Sequence, residues 1–244
     1  MATRDRLRAD AIIFDKDGTL IDFDAFWISL ADAASKDTLK RFGQSEALAE
    51  EILEAYGVHN GVTDVNGILC KGTYAQMAQV VQDVMLRHGC RIPTTEVERQ
   101  MMDAYHQNAH VGVVKPTCRN LREVLVTLKG QGKKIAIVTT DNREITLMCL
   151  EKLQIADLFD RIYTDDGVLP VKPDPHCALD FCAFAGSTGE RTVMVGDTMT
   201  DIRFARNAGL KAVGVAKTEE SEKILGGNAD ALVRDISELL EILE

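Results

Sequence analysis

The stretch Ala11-Ile12-Ile13-Phe14-Asp15-Lys16-Asp17-Gly18-Thr19-Leu20 passes from a short apolar run directly into two aspartates, a glycine and a threonine. The run reads as a buried strand. Two carboxylates with one residue between them, at the carboxyl end of a parallel strand, sit where open α/β sheets build their sites. Gly18 supplies backbone freedom for a turn, and Thr19 offers a hydroxyl and an amide that could hold an anion. The plainer reading is a strand-to-turn junction in which aspartates bond their own backbone. Side chains alternate near a strand end, so Lys16 is expected to face solvent or a covering domain, and no role is assigned to it.

Outward from this stretch, apolar runs recur at Ile135–Val138, Arg161–Tyr163, Thr192–Val195 and Lys211–Val215. Between the later ones lie helical patterns, such as Leu121, Val124, Leu125 and Leu128, or Ala178, Leu179, Cys182 and Ala183, with apolar spacings of three and four. This alternation predicts an α/β fold, an open parallel sheet covered by helices on both faces. From Ile21 to about Val114 no strand is expected, whereas Phe26–Arg41, Ser45–Tyr56, Tyr74–His88 and Thr95–His110 read as amphipathic helices. The expected organisation is therefore a core of residues 1–20 and 115–244, with an all-helical insertion at 21–114 after the first strand. The insertion leaves at Lys115-Pro116, where Thr117 is expected to cap the next helix. Gly57–Thr73, with four glycines, is its most flexible-looking part. Asp235–Glu244 reads as a terminal amphipathic helix with Ile236, Leu239, Leu240 and Leu243 inward.

The 244 residues carry 28 Lys and Arg against 38 Asp and Glu, a formal net charge of -10, which disfavours nucleic acid and anionic membranes as partners. Composition is that of a folding, globular chain, at 45% hydrophobic and 27% charged residues. The opening MATRDRLRADAIIF has no apolar stretch with a cleavage site, and a cytoplasmic location is expected. Six cysteines without a CxxC pair read as reduced thiols. His106 and His110 have helical metal-pair spacing but no acidic or cysteine partner at a fitting interval, and are expected on a solvated or partly packed helix face.

Three further motifs follow in order. Thr139 and Thr140 close the run Ile135–Val138, and a hydroxyl at a strand end can donate to a phosphoryl oxygen. Lys172 lies in Val171-Lys172-Pro173-Asp174-Pro175, fixed ahead of a helix and inexpensive to aim. Gly196-Asp197-Thr198-Met199-Thr200-Asp201 places two carboxylates four apart where a strand becomes a helix, able to reach one oxygen-loving cation. Each also has a plain structural reading: a threonine closing a strand, a solvated loop lysine, aspartates favoured by a helix dipole.

Taken together, Asp15-x-Asp17-Gly18-Thr19, Thr139, Lys172-Pro173 and Gly196-Asp197-x-x-x-Asp201 resemble the four signature motifs of the haloacid dehalogenase superfamily, in the branch whose helical cap follows the first motif. The resemblance covers nearly the whole chain. It implies a Rossmann-like core, a helical cap, a Mg²⁺ requirement and an aspartyl-phosphate intermediate. By the same resemblance Asp15 attacks phosphorus, and Asp17 protonates the leaving alkoxide and then activates water. Thr139 and Lys172 grip phosphoryl oxygens, and Asp15, Asp17 (through its carbonyl), Asp197 and Asp201 surround Mg²⁺, Asp201 directly or through water.

A nucleophilic carboxylate, two acidic ligands and a phosphate dianion would not share a pocket without cations, which Mg²⁺ and Lys172 supply. By the resemblance, the aspartate at 17 separates members that turn over phosphomonoesters from the family's dehalogenases, phosphonate-cleaving members and ion pumps, which lack it. Gly18, Thr19, Thr140, Asn142, Arg143 and the cap residue Lys71 are candidate phosphate or substrate contacts. The expected activity is hydrolysis of a small-molecule phosphomonoester, phosphoglycolate-like or sugar-phosphate-like. A phosphomutase of the β-phosphoglucomutase type and a non-catalytic phosphate-binding protein are the alternatives.

Overall fold

The computed structural model describes residues 6–244; the first five residues of the opening segment and of the expected core lie outside the described residues. Among the described residues eight strands occur in chain order: β1 (Ala11–Phe14), β2 (Val58–His59), β3 (Val62–Thr63), β4 (Lys134–Val138), β5 (Arg161–Tyr163), β6 (Thr192–Gly196), β7 (Lys211–Val215) and β8 (Ala231–Val233). The chain divides into two compact units. One comprises the chain up to Asp22 with Lys115–Glu244, the other Phe23–Val114.

In the first unit six strands form one sheet in the order β5-β4-β1-β6-β7-β8, every pairing parallel. Every residue of β1 and of β6 is buried, as strands covered on both faces must be. On one face Ile13, Val138, Met194 and Ala212 pack with Phe181, Phe204 and Ala205 from the helices His176–Ala185 and Met199–Asn207. The chain builds β4 and β5 on one side of β1, then crosses back to add β6, β7 and β8 on the other. Strand order thus reverses beside β1, the place where open α/β sheets leave a crevice at their carboxyl ends.

Edge strand β8 has no counterpart in the expectations from sequence. Its three residues, Ala231-Leu232-Val233, are apolar but too few to show a period, and only Val233 is buried. The C-terminal segment is a short 3₁₀ turn, Ile236–Glu238, followed by Leu239–Ile242, with Ile236, Leu239 and Leu243 buried and Leu240 only half-buried. Thr117 does not cap a helix. Its hydroxyl donates to the Thr19 carbonyl at 2.6 Å, and the next helix, Leu121–Gly130, begins at Asn120 without a side-chain cap. With the Asp22 amide donating to Lys115 O at 2.9 Å, this fastens the two chain crossings side by side.

The second unit is built on helices Phe23–Arg41, Ala49–Ala55, Tyr74–Arg87 and Thr94–Asn108. Leu30, Ala34, Ile52, Tyr56, Val81, Val84, Met101 and Tyr105 form its buried interior. Helix Tyr74–Arg87 starts at a capping box, Thr73 and Gln76 each satisfying the other's backbone amide. The unit is not all-helical: β2 and β3 form an antiparallel hairpin, and Ile68–Lys71 a single helical turn. Two-residue strands are too short to leave a period in the sequence. The hairpin is pinned where looseness was expected, because the Asp24 carboxylate accepts from the Thr63 amide at 3.2 Å and its hydroxyl at 2.6 Å. Among the described residues no helix is long and apolar enough to cross a membrane.

Candidate active site

The carboxyl ends of β1, β4 and β6 are adjacent, so the residues that follow them converge. Asp15 follows β1, Thr139 follows β4 and Asp197 follows β6. All belong to the first unit, as does Lys172.

Lys172 is buried, and its ammonium donates to Asp15 Oδ1 and to Asp201 Oδ1, each at 2.6 Å. Asp201 is almost fully buried and is oriented by the start of its own helix. Its Oδ2 accepts from the Thr198 amide at 3.0 Å and the Thr198 hydroxyl at 2.6 Å, while the Asp201 amide donates to Thr198 Oγ1. The capping box that begins helix Met199–Asn207 therefore also fixes the carboxylate that holds Lys172. Asp197, half-buried, accepts from Thr19 Oγ1 at 3.3 Å. Two glycines leave room for these groups. A Cβ on Gly18, whose φ is +82°, would lie 2.1 Å from Asp197 Oδ2, and one on Gly196 would lie 2.3 Å from Asp201 Cγ.

Carboxylate oxygens of Asp15, Asp197 and Asp201 lie within 4.8 Å of one another. Burial pushes the Asp15 carboxyl up to about 7, the Lys172 ammonium pulling it down and the Asp201 charge adding to the rise. Asp197 is raised well above the carboxylate range, by burial and then by the charges of Asp15 and Asp201. Burial opposes charge on Lys172, but Asp15 and Asp201 outweigh it and hold the ammonium above the ordinary lysine range. One lysine does not neutralise three clustered carboxylates. All-oxygen donors and a cradle that a single Cβ would fill fit a hard divalent cation.

Asp17 stands apart from that cluster. Its Oδ1 and Oδ2 lie 2.8 Å and 2.7 Å from the Lys16 ammonium, and Asp141 Oδ2 lies 3.0 Å from the same nitrogen. Lys16, expected to face solvent or a covering domain, is fully buried. The alternation that turns it away from Asp15 turns it into the protein, because β1 is the central strand with both faces covered. Burial disfavours its charge, but Asp17 and Asp141 more than compensate and hold it protonated. Asp141, buried and with its carboxyl raised by burial, was not among the candidates from sequence. Parallel pairing could have found it. Phe14 lies opposite Ile137, so two residues on Lys16 comes level with Thr139, and Asp141 follows on the same face.

Among the other candidates, Thr139 is buried and its hydroxyl oxygen accepts from the Asp141 amide at 3.2 Å. Thr140 and Arg143 are exposed. Asn142 caps helix Arg143–Lys152, its side-chain oxygen accepting from the Ile145 amide at 2.9 Å. Lys71 lies in the second unit, exposed, with its ammonium 2.6 Å from Asn66 Oδ1. His106 and His110 are exposed and, among the described residues, join no cluster of metal-ligating side chains.

The family model of haloacid dehalogenase-like hydrolases matches residues 12–215. Pyrophosphatase PpaX of Bacillus velezensis is 29% identical over 238 residues, covering 96% of each chain. A phosphoglycolate phosphatase of Pseudomonas putida is 27% identical over 226 residues, covering 92% of this chain and 75% of its own. A crystal structure of a HAD-superfamily hydrolase, subfamily IA, from Geobacter sulfurreducens shares the fold with a TM-score of 0.69 at 19% identity, covering 97% of both chains.

Proposed function

The chain belongs to the haloacid dehalogenase-like hydrolases, and from that premise we propose a Mg²⁺-dependent phosphatase of a small phosphate compound that works through an aspartyl-phosphate at Asp15. The observation that carries this reading is the Asp15 carboxylate held by Lys172 beside Asp197 and Asp201. In this reading, Phe23–Val114 is the cap.

Phosphoryl transfer calls mainly for positioning and for neutralisation of charge. Asp15 Oδ1 is fixed by Lys172, which leaves its other oxygen to attack phosphorus. Lys172 then offsets charge on the transferring group, its own placement fixed by Asp201. Thr139 Oγ1 accepts the Asp141 amide, so its hydrogen is available to a phosphoryl oxygen. Asp17 gives its proton to the leaving oxygen and takes one from the water that cleaves the aspartyl-phosphate. Asp15, Asp197 and the Asp17 carbonyl would hold Mg²⁺, with Asp201 joining them directly or through water. When bound, the cation supplies the positive charge that this acidic pocket and a phosphate dianion require.

The relatives named above act on pyrophosphate and phosphoglycolate, and both belong at the head of a substrate panel with aryl and sugar phosphates. Release of inorganic phosphate with Mg²⁺, lost on chelation and in Asp15→Asn, is the expected result. Substantial hydrolysis by Asp15→Asn refutes the nucleophile. Isomerisation of a sugar phosphate without phosphate release refutes a phosphatase in favour of a mutase.

A further inference from the structure

The site contains two charge groups whose ion pairs have no residue in common. Lys172 serves Asp15 and Asp201, and Lys16 serves Asp17 and Asp141. The nucleophile and the acid–base carboxyl are thus oriented by different lysines.

Nothing in the stability of the strand asks for a lysine at 16. The preceding residues Ala11–Phe14 are all apolar and buried. A buried ion cluster stabilises a fold no better than a well-packed apolar side chain of similar volume. What the ammonium does provide is direction. It lies 2.8 Å and 2.7 Å from the two oxygens of Asp17, and 3.0 Å from Asp141 Oδ2. Asp141 is itself held by hydrogen bonds. Its Oδ1 accepts from the Asn142 amide at 2.8 Å, and its own amide donates to Thr139 Oγ1, so it is tied to the turn that also presents the Thr139 hydroxyl.

We propose that Lys16 and Asp141 are positioning residues for the proton-transfer step: Asp141 anchors the Lys16 ammonium to the turn after β4, and Lys16 sets the orientation of the Asp17 carboxyl. The inference rests on the phosphatase reading above, and deepens it by two residues that touch neither phosphate nor cation.

The test separates proton transfer from binding and fold. With Mg²⁺ present, kcat/KM is measured on phenyl phosphate and on 2,4-dinitrophenyl phosphate for the wild type, Lys16→Met and Asp141→Asn. This constant reports only steps through phosphoryl transfer to Asp15. Phenoxide leaves poorly without a proton, whereas dinitrophenoxide departs unaided. The ratio of dinitrophenyl to phenyl kcat/KM should rise about tenfold or more in both variants, a part of what an acid catalyst contributes. Circular dichroism identifies folded variants; if Lys16→Met does not fold, the isosteric Asp141→Asn decides. A ratio within about twofold of wild type in a folded variant overturns the inference, because a merely structural defect slows both esters alike. If the wild type cleaves neither ester, or Asp15→Asn cleaves both, the phosphatase reading fails and this inference falls with it. Asp15-dependent cleavage with an unchanged ratio sinks the positioning role alone.

Discussion

Gly18→Ala is the substitution for which the structure gives the fullest expectation. The residue has φ +82°, and an added Cβ would sit 2.1 Å from Asp197 Oδ2 and 2.5 Å from its Cγ. To regain a contact of 3.4 Å the carboxylate must retreat by about 1.3 Å. Gly132 supplies the control, since it has the same φ of +82° and nothing within 4 Å of its added Cβ. The left-handed conformation costs an alanine roughly 1–2 kcal/mol at either position. Overpacking adds about 1–3 kcal/mol at Gly18 alone. At roughly 2–4 °C per kcal/mol for a chain of this size, Gly18→Ala should melt roughly 2–12 °C below Gly132→Ala. Its kcat/KM should fall on the order of 100-fold, as displacement of a reacting or charge-bearing group by about 1 Å does. Gly132→Ala should retain the wild-type value within about twofold. Thermal unfolding by circular dichroism and aryl phosphate hydrolysis measure both. If the two variants melt together and hydrolyse equally, Asp197 does not occupy the place beside Gly18 on which the proposed cation site depends.

Two other predictions concern the same cluster. Because Asp15 is raised from 3.8 to about 7, the folded state holds a proton through that range that the unfolded state has released. Without divalent cation, this group's contribution to stability is therefore present below about pH 4 and lost as pH rises through about 7. In chelator the melting temperature of wild type relative to Asp15→Asn should decline from pH 5 to pH 8, and Mg²⁺ should bind more tightly at the higher pH as protons leave its ligands; a rising difference contradicts the burial assigned to Asp15. Thr198→Ala removes an N-cap and should cost about 1 kcal/mol, much as Thr218→Ala does at the equivalent cap of helix Glu219–Leu225. Only Thr198→Ala should also lower kcat, since only Thr198 orients Asp201 and through it Lys172; equal activity in the two variants would deny that linkage.

What the sequence discloses here depends on length and on burial. β1 is a continuous apolar run, and β4, β6 and β7 each contain one after a polar first residue, because both faces of the sheet are covered; such runs are visible without any neighbour. The hairpin β2–β3 and edge strand β8 are too short or too exposed to leave a period. The motif aspartates and Lys172 are legible because their spacing carries chemistry. Lys16 and Asp141 are not, for a different reason. Alternation correctly turns Lys16 away from Asp15, but only the position of β1 at the centre of the sheet reveals that this direction leads inward. Asp141 acquires its meaning from a partner 125 positions earlier, through a strand pairing that no local pattern announces. Thr117 shows the converse: a residue with good capping chemistry is drawn into a tertiary bond to the Thr19 carbonyl.

The central claim is that Asp15 becomes phosphorylated. Protein incubated with an aryl phosphate and Mg²⁺, quenched in acid and reduced with borohydride, should yield a peptide in which residue 15 alone has been converted to the corresponding alcohol. Asp15→Asn should give no such product and no hydrolysis. Steady turnover with no reducible acyl group at residue 15, or labelling at another carboxylate, would contradict the account.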